Sequence, residues 1–305
     1  MTNRWTLPKA LAVLEVKMAD GTRIYVRRHG NPDGPRIIVS HGNGLSADTY
    51  YPYWSLLTAR FDLFIFDIRN HGWNPVGEQQ KHNIASFAQD CEGIVQAIRR
   101  NFGEKPAVGV FHSMSTLPAL LYAQGWSTAS TESVFSALVL FDPAICTPSV
   151  LLEDMYQVSY QMHDAIKRRR TRFESQEEFV SRYRDAPVFK RLLPGVVELM
   201  AETTLRPVPG GEGYELCCPR EYEAQVAQFF FGWVLQLDLG NIRCPVKAIG
   251  ADPTKPHSFL PSLDLGTLVG LDYDFLPEAT HFLQLEKPEQ CVDLTIDFLE
   301  HQGLV

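Results

Sequence analysis

Short apolar runs alternate with amphipathic stretches along most of this 305-residue chain. Runs typical of fully buried strands occupy residues 36–40, 61–66, 107–111, 137–141 and 244–250. Between the second and third runs, apolar residues recur at helical spacing from Phe87 to Ile98, and the helix is expected to stop near Gly103. This alternation predicts an α/β fold with a mostly parallel sheet covered by helices on both faces.

The beginning and the middle of the chain depart from this alternation. Residues 12–18 and 23–28 predict two strands of a hairpin joined across Ala19-Asp20-Gly21. Residues from about 150 to 240 show no clear β run and hold charged and aromatic helical segments instead. We therefore expect a core domain formed by residues 1–145 and 241–305. The intervening residues 146–240, called the insertion below, are expected to form a helical cap over the sheet.

The composition of the chain limits which classes of partner and which cellular compartment are expected. The net charge of −8 argues against nucleic acid, which needs a basic footprint. No apolar run approaches the roughly 20 residues that cross a bilayer, and the N-terminus lacks the apolar core of a secretion signal. The six cysteines form no CxxC pair and no zinc pattern. We expect a soluble, cytoplasmic protein with reduced thiols and no metal or organic cofactor.

One serine stands where an apolar run passes directly into a helix-forming segment. The run ends in His112 and Ser113, and the segment starts immediately afterwards. A serine on such a turn presents its hydroxyl to a ligand, as a nucleophile that attacks a carbonyl must. The pattern predicts a nucleophile elbow at Ser113, with an ordinary helix N-cap as the alternative. Phe111 and Ser115 occupy places where the usual elbow motif has glycine.

A general base and an acid are expected at the same sheet edge, because loops after parallel strands gather there. A last strand is predicted near residues 273–276, and His281, which follows it, is the candidate base. Asp252 follows the run 244–250 and is the first choice for the acid that orients the imidazole. Asp142 ends the preceding strand and is the alternative, ranked second because Pro143 suggests a turn into the insertion.

The oxyanion of an acyl-transfer reaction needs two hydrogen-bond donors. One is expected to be the backbone amide of Met114, directly after the candidate nucleophile. The other is expected from the loop after the strand 36–40, at Asn43 or Gly44, where small and polar residues allow the backbone to approach a ligand.

Together these segments resemble the α/β-hydrolase superfamily, in the branch with a cap inserted after the sixth strand. The matching segments are Ser40-His41-Gly42-Asn43-Gly44, Asp67 through Gly72, His112-Ser113-Met114-Ser115, Cys244 through Asp252, and His281-Phe282 with Glu286 through Glu289. The resemblance implies an eight-stranded sheet. It also implies that Ser113 is the nucleophile, His281 the base and Asp252 the acid, with structural roles for Asp67 and Arg69.

A serine at the elbow favours acyl transfer through an acyl-enzyme. The leading prediction is hydrolysis of a carboxylic ester of a small, largely apolar molecule, with thioesters and lactones also open. Candidate pocket residues in the insertion are Met155, Tyr156, Tyr160, Met162, Phe229, Phe230 and Trp233. The basic run 167–172 is interpreted as a solvated helix face rather than a site for an acyl-CoA phosphate.

Two other functions stay open. Hydrolysis of a carbon–carbon bond in a diketone-type acid would use the same residues, but it needs a cationic group for the substrate carboxylate, and the sequence assigns none. A catalytically weak ligand-binding protein on the same scaffold is the other, because Phe111 is bulky where an elbow is crowded. The sequence leaves the oligomeric state open, a homodimer included.

Overall fold

The computed structural model describes residues 5–126, 134–143, 145, 152–255 and 271–305. Its strands are β1 (Ala12–Lys17), β2 (Arg23–Gly30), β3 (Arg36–Val39), β4 (Asp62–Phe66), β5 (Ala107–His112), β6 (Ala137–Phe141), β7 (Arg172–Phe173), β8 (Leu205–Pro207), β9 (Tyr214–Leu216), β10 (Val246–Gly250) and β11 (Asp272–Phe275). Its α-helices are α1 (Tyr51–Trp54), α2 (Ile84–Phe102), α3 (Thr116–Ala123), α4 (Leu152–Lys167), α5 (Gln176–Tyr183), α6 (Val196–Thr204), α7 (Arg220–Val234), α8 (Leu283–Glu286) and α9 (Pro288–His301). Cys146 and the side chain of Met155 lie outside the described residues.

Eight of the described strands form one sheet in the order β1-β2-β4-β3-β5-β6-β10-β11. The pairs β1–β2 and β2–β4 are antiparallel, and every other pair is parallel. The predicted fold is therefore confirmed, including the hairpin that opens the chain. Because every strand of this sheet except β2 runs the same way, the loops that follow β3, β5, β6, β10 and β11 meet at one edge of the sheet.

The central strands bury both of their faces, which explains their continuous apolar runs. Alternate residues enter different cores: Ile37, Leu63 and Val139 belong to the cluster on one face, and Ile38 and Phe64 to the cluster on the other. Side chains in a strand point to opposite faces in turn, so each run supplies both cores at once. None of the described helices has the length and hydrophobicity needed to cross a bilayer.

The helix that precedes the elbow strand has sequence-coded ends. Asn83 is extended, and its side chain accepts a hydrogen bond from the amide of Ser86 at 2.9 Å, which caps the first turn of α2. Gly103 ends the helix with φ of 82°, a conformation that glycine adopts at little cost. The predicted stop near Gly103 is confirmed.

The described part of the insertion lies between β6 and β10 and contains α4 to α7. It also contains a three-stranded antiparallel sheet in the order β7-β9-β8, so the prediction that this region lacks strands is wrong. These strands have only two or three residues each, too short to show a period in the sequence. Residues of this region such as Phe179 and Met200 belong to the apolar cluster on one face of the eight-stranded sheet.

Candidate active site

The elbow is a turn with a strained backbone, and the side chain of Ser115 stabilises it. Ser113 follows β5 with φ of 50°, and a 3₁₀ turn over Ser113–Ser115 leads into α3. Ser115 Oγ accepts from the His112 amide at 3.1 Å and donates to the His112 carbonyl at 3.0 Å. A non-glycine residue with positive φ persists only where its surroundings fix it. The small residue at position 115 therefore supports the turn by hydrogen bonds.

Phe111 does not crowd the elbow, because its side chain points into the apolar core. The ring is buried and packs edge-on against Phe66 and Phe135. Gly109 makes this possible, since a Cβ at position 109 would lie 2.5 Å from the Phe111 ring. The glycine that the motif lacks at position 111 is thus found two residues earlier, on the same face of the strand.

The structure brings Ser113 and His281 together. His281 Nε2 lies 2.9 Å from Ser113 Oγ, and His281 Nδ1 lies 2.5 Å from Asp142 Oδ2. Asp142 is buried, and its other carboxylate oxygen accepts from the amide of Ala251 at 3.1 Å. Ionised Asp142 accepts from Nδ1–H, so Nε2 has a lone pair that can take the proton of the serine hydroxyl.

The choice of Asp252 as the acid is corrected by this geometry. The Asp252 carboxylate accepts from the amide and the hydroxyl of Thr254, at 2.9 and 2.7 Å, and from the amide of Glu278 at 2.8 Å. The Glu278 amide, together with Thr254, lowers the pKa of Asp252 to about 2. Asp252 thus fixes the loop between β11 and His281, while Asp142 occupies the place against the imidazole.

A buried hydrogen-bond chain that the sequence did not indicate links two loops of the site. One is the loop after β3, residues 40–44, called the oxyanion loop below, and the other is the loop that carries His281. The Gly42 amide donates to Tyr50 Oη at 3.2 Å, and the Tyr50 hydroxyl donates to His112 Nδ1 at 2.6 Å. His112 Nε2 then donates to the backbone carbonyl of His281 at 2.7 Å. Burial and the neighbouring His281 lower the pKa of His112 well below its ordinary value, so the ring stays neutral. The one available signal was a histidine directly before Ser113.

The two candidates for the second oxyanion donor differ in this structure. The Gly44 amide donates to His71 Nε2 at 3.2 Å, so it is already engaged and the prediction at that position is corrected. The Asn43 amide makes no hydrogen bond to another described residue, and its side chain donates to the Glu223 carbonyl at 3.2 Å. Gly42 lets the loop approach the elbow, because a Cβ there would lie 3.3 Å from Ser113 Cβ. Asn43 and Met114 remain the candidate donors.

The loop after β4 holds these turns in place, as the resemblance implied. Asp67 is buried and accepts from the Ala47 amide at 2.7 Å and from Arg27 Nη1 at 2.7 Å. Arg69 grips Asp90 with two hydrogen bonds, at 2.7 and 2.6 Å. These contacts are structural.

One buried group among the described residues has the composition of a metal site. The ligand atoms of His71, His82 and Cys218 lie within 4.8 Å of one another. However, His71 Nε2 accepts from the Gly44 amide and Nδ1 faces a carbonyl. The side chain of Asn70 accepts from the Gly77 backbone amide through Oδ1 and donates to His82 Nδ1 through Nδ2. The proton of the neutral His82 ring is therefore on Nε2. Neither ring offers a lone pair, so this arrangement does not fit a metal ion.

A cavity of about 90 Å³ adjoins the oxyanion loop. It is lined by Asn43, Gly44, Leu45, Arg169, Phe179, Tyr183, Phe189, Met200, Thr204, Leu216 and Phe282. Most of the predicted pocket residues lie elsewhere. Tyr156, Tyr160 and Phe229 are more than half exposed on an outer groove between α4 and α7, while Phe230 belongs to a buried cluster with Met114. Helical periodicity identified apolar residues but not which helix face turns to the sheet.

The Alpha/beta hydrolase family is matched by residues 37–294 of the chain. Among curated proteins, the probable oxidoreductase EphD of Mycobacterium tuberculosis is 33% identical over 81 residues, as is its Mycobacterium bovis counterpart. That match covers 26% of this chain, and the chain covers only 14% of the length of these relatives.

Solved structures of low identity share the fold. E-2-(acetamidomethylene)succinate hydrolase is 19% identical with a TM-score of 0.71, and the alignment covers 95% of this chain and 99% of that one. The thioesterase domain from the curacin biosynthetic pathway is 16% identical with a TM-score of 0.68, over 93% and 99% of the two chains. A structure from a study of carboxylesterases of Nitrososphaera gargenis is 15% identical with a TM-score of 0.68, over 96% and 99%. The family match spans most of the chain and includes every residue of the candidate site, and the chain therefore belongs to the alpha/beta hydrolase family.

Proposed function

We propose that this protein is a serine hydrolase that cleaves a carboxylic ester of a small substrate through an acyl-enzyme at Ser113. The observation that carries the proposal is the continuous hydrogen-bond chain from Ser113 Oγ through the His281 ring to Asp142. A serine whose hydroxyl faces an imidazole oriented by a buried carboxylate is an activated nucleophile.

The steps follow from the positions of these groups. Ser113 Oγ attacks the ester carbonyl while His281 Nε2 takes its proton, and the amides of Met114 and Asn43 stabilise the oxyanion. His281 then protonates the departing alcohol as the acyl–oxygen bond breaks. A water molecule, deprotonated by the same nitrogen, attacks the acyl-enzyme and releases the acid and free Ser113. Asp142 keeps Nδ1 protonated throughout and stabilises the transient imidazolium.

The insertion is proposed to act as a cap that shapes the acyl pocket. Support comes from its contacts with the oxyanion loop, where the Glu223 carbonyl accepts from the Asn43 side chain. Thr203 of the insertion also shares a 2.8 Å hydrogen bond with Thr49 of the core. The resulting cavity is small, which favours a substrate with a short acyl chain.

Ester hydrolysis is preferred over the other functions named above. A thioester or a lactone would react by the same steps, and the fold is shared with the curacin thioesterase domain as well as with a carboxylesterase structure. The argument for a binding protein was that Phe111 would crowd the elbow. The Phe111 ring is buried away from the elbow, so this argument no longer supports a binding protein. Buried thiols such as Cys91 and Cys217 are compatible with the cytoplasmic location that we also propose.

Turnover of p-nitrophenyl butyrate tests the proposal. The wild-type protein should hydrolyse the ester, and Ser113→Ala should lower kcat by about four to six orders of magnitude, because the nucleophile is lost. Ser55→Ala, a substitution far from the site, is the matched control and should retain the wild-type kcat. Equal turnover by the wild type and Ser113→Ala would rule out the acyl-enzyme.

A further inference from the structure

The wall of the cavity beside the oxyanion loop includes one positively charged side chain, that of Arg169. Of the described residues that line it, Arg169 alone carries a charge, and most of the others are apolar. Arg169 follows α4 in the insertion, and its Nη1 would lie 3.1 Å from a Cβ at Gly44. The guanidinium is therefore next to the loop that carries the candidate oxyanion donor.

Hydrogen bonds hold Arg169 in place, but they do not use all of its N–H donors. Its Nη2 donates to the buried carboxylate of Glu223, and its carbonyl accepts from Arg220 Nη1 at 3.0 Å. Its Nε is buried and has no hydrogen-bond partner among the described residues. Nη1 donates to no described residue either, and the side chain keeps 29% of its surface exposed, so Nη1 is the donor that can reach an oxygen atom of a ligand.

Arg169 keeps its charge in this setting. Burial disfavours the guanidinium cation, but the Glu223 carboxylate outweighs this effect and raises the pKa of Arg169. Arg169 lines the cavity and Glu223 does not, although Glu223 Oε2 also lies behind the loop, 2.5 Å from where a Cβ of Gly44 would be. A charged N–H donor in an apolar wall favours an anionic oxygen acceptor.

We propose that Arg169 determines specificity by binding a carboxylate on the acyl part of the substrate. The inference rests on the proposed function and names its substrate class as monoesters of short dicarboxylic acids. The cavity volume of about 90 Å³ limits the acyl part to a short chain. The ester carbonyl would sit at Ser113 while the distal carboxylate accepts from Arg169 Nη1. The basic run was interpreted as a solvated face, and Arg169 is the member that departs from this interpretation.

The test compares two methyl esters of the same shape. Monomethyl succinate carries a carboxylate where methyl 4-methylpentanoate carries an isopropyl group, and release of methanol reports the turnover of both. The wild type should favour the acid in kcat/KM, and Arg169→Met should lower the ratio of the two values by about 10- to 100-fold, as expected for loss of a charged hydrogen bond. Arg168→Met changes an exposed neighbour in the same basic run and should keep the wild-type ratio.

Further variants and a binding assay separate the possible failures. If Arg169→Met does not fold because Glu223 loses its partner, Arg169→Lys keeps a cation there. It lacks the planar guanidinium that can bind Glu223 and a ligand at once, so it should still lower the ratio. Calorimetric binding of succinate to Ser113→Ala should be lost when Arg169→Met is added, whether or not esters are turned over. An unchanged ratio, or succinate binding independent of Arg169, would overturn the inference. Turnover of neither ester by the wild type would count against the proposed function instead.

Discussion

Two aspartates end neighbouring strands beside His281, and the backbone conformation of one of them decides which carboxylate reaches the ring. Asp142 has φ of 38°, a left-handed conformation that is uncommon for a non-glycine residue. This turn places Oδ2 against His281 Nδ1 while Oδ1 is fixed by the Ala251 amide. Asp252 instead closes a local turn with Thr254. Both aspartates are charged residues at strand ends, so their positions in the sequence do not distinguish them.

Exchange of each aspartate for asparagine should separate the two roles. Asp142→Asn should lower kcat for p-nitrophenyl butyrate by about 10⁴-fold, because an amide no longer holds the imidazole in the required tautomer. Asp252→Asn should leave kcat within about threefold and lower the midpoint of urea denaturation, through weaker hydrogen bonds to the loop. Steady-state kinetics and urea denaturation measure both. If the larger loss of kcat followed Asp252→Asn instead, the assignment of the acid would be wrong.

At the level of the element, β5 shows how a strand accommodates an altered elbow motif. Positions 109 and 111 face the same side of the strand. Because Gly109 has no side chain, the Phe111 ring can occupy the space beside it. Leu138 of the adjacent strand β6 closes the same space, 2.7 Å from where a Cβ of residue 109 would lie. The strand thus keeps its pairing on both sides while it carries a bulky residue next to the turn.

Gly109→Ala is expected to destabilise the fold through overpacking. The added methyl group would force the Phe111 ring and Leu138 apart, which should lower the free energy of unfolding by about 1–3 kcal/mol. The double substitution Gly109→Ala/Phe111→Leu should recover part of this loss, since a smaller side chain frees the space. Urea denaturation of the wild type, Gly109→Ala, Phe111→Leu and the double variant measures both effects. Additive losses would show that residues 109 and 111 do not compete for this volume.

The elements were predictable to the extent that their patterns are local. The strands β3 to β6 and the helix α2 were predicted from apolar runs, helical spacing and a terminal glycine, and the structure confirms them. The two- and three-residue strands of the insertion were not, because they depend on contacts between distant segments. The same limit applies to Arg169 and Glu223, which are 54 residues apart and meet only in the folded chain.

Over the whole molecule, buried neutral histidines make the folded state sensitive to acid. Burial lowers the pKa of His29 and of His71 to about 4, and it also lowers the pKa of His41, His82 and His112. In the unfolded chain these groups take up protons near pH 6.5. Between pH 6.5 and 4 the unfolded state therefore binds more protons, and stability is lost as the pH falls through this window.

The free energy of unfolding should accordingly fall between pH 7 and pH 4. His71 alone is expected to contribute about 3 kcal/mol of this loss over the full window. His71→Asn should make the dependence on pH shallower, whereas replacement of the exposed His301 by glutamine should leave it unchanged. Urea denaturation across the pH series measures the slope. A free energy of unfolding that stayed constant or rose as the pH fell would contradict this interpretation.

The central claim is that Ser113 is a nucleophile activated by His281 and Asp142, and covalent labelling tests it most directly. The folded wild-type protein should react with a fluorophosphonate probe, and peptide mass spectrometry should locate the phosphonyl group on Ser113. The same probe should leave Ser113→Ala unlabelled and should react far more slowly with His281→Ala. Folded wild-type protein that remains unmodified at Ser113, or that is labelled at another residue alone, would contradict the claim.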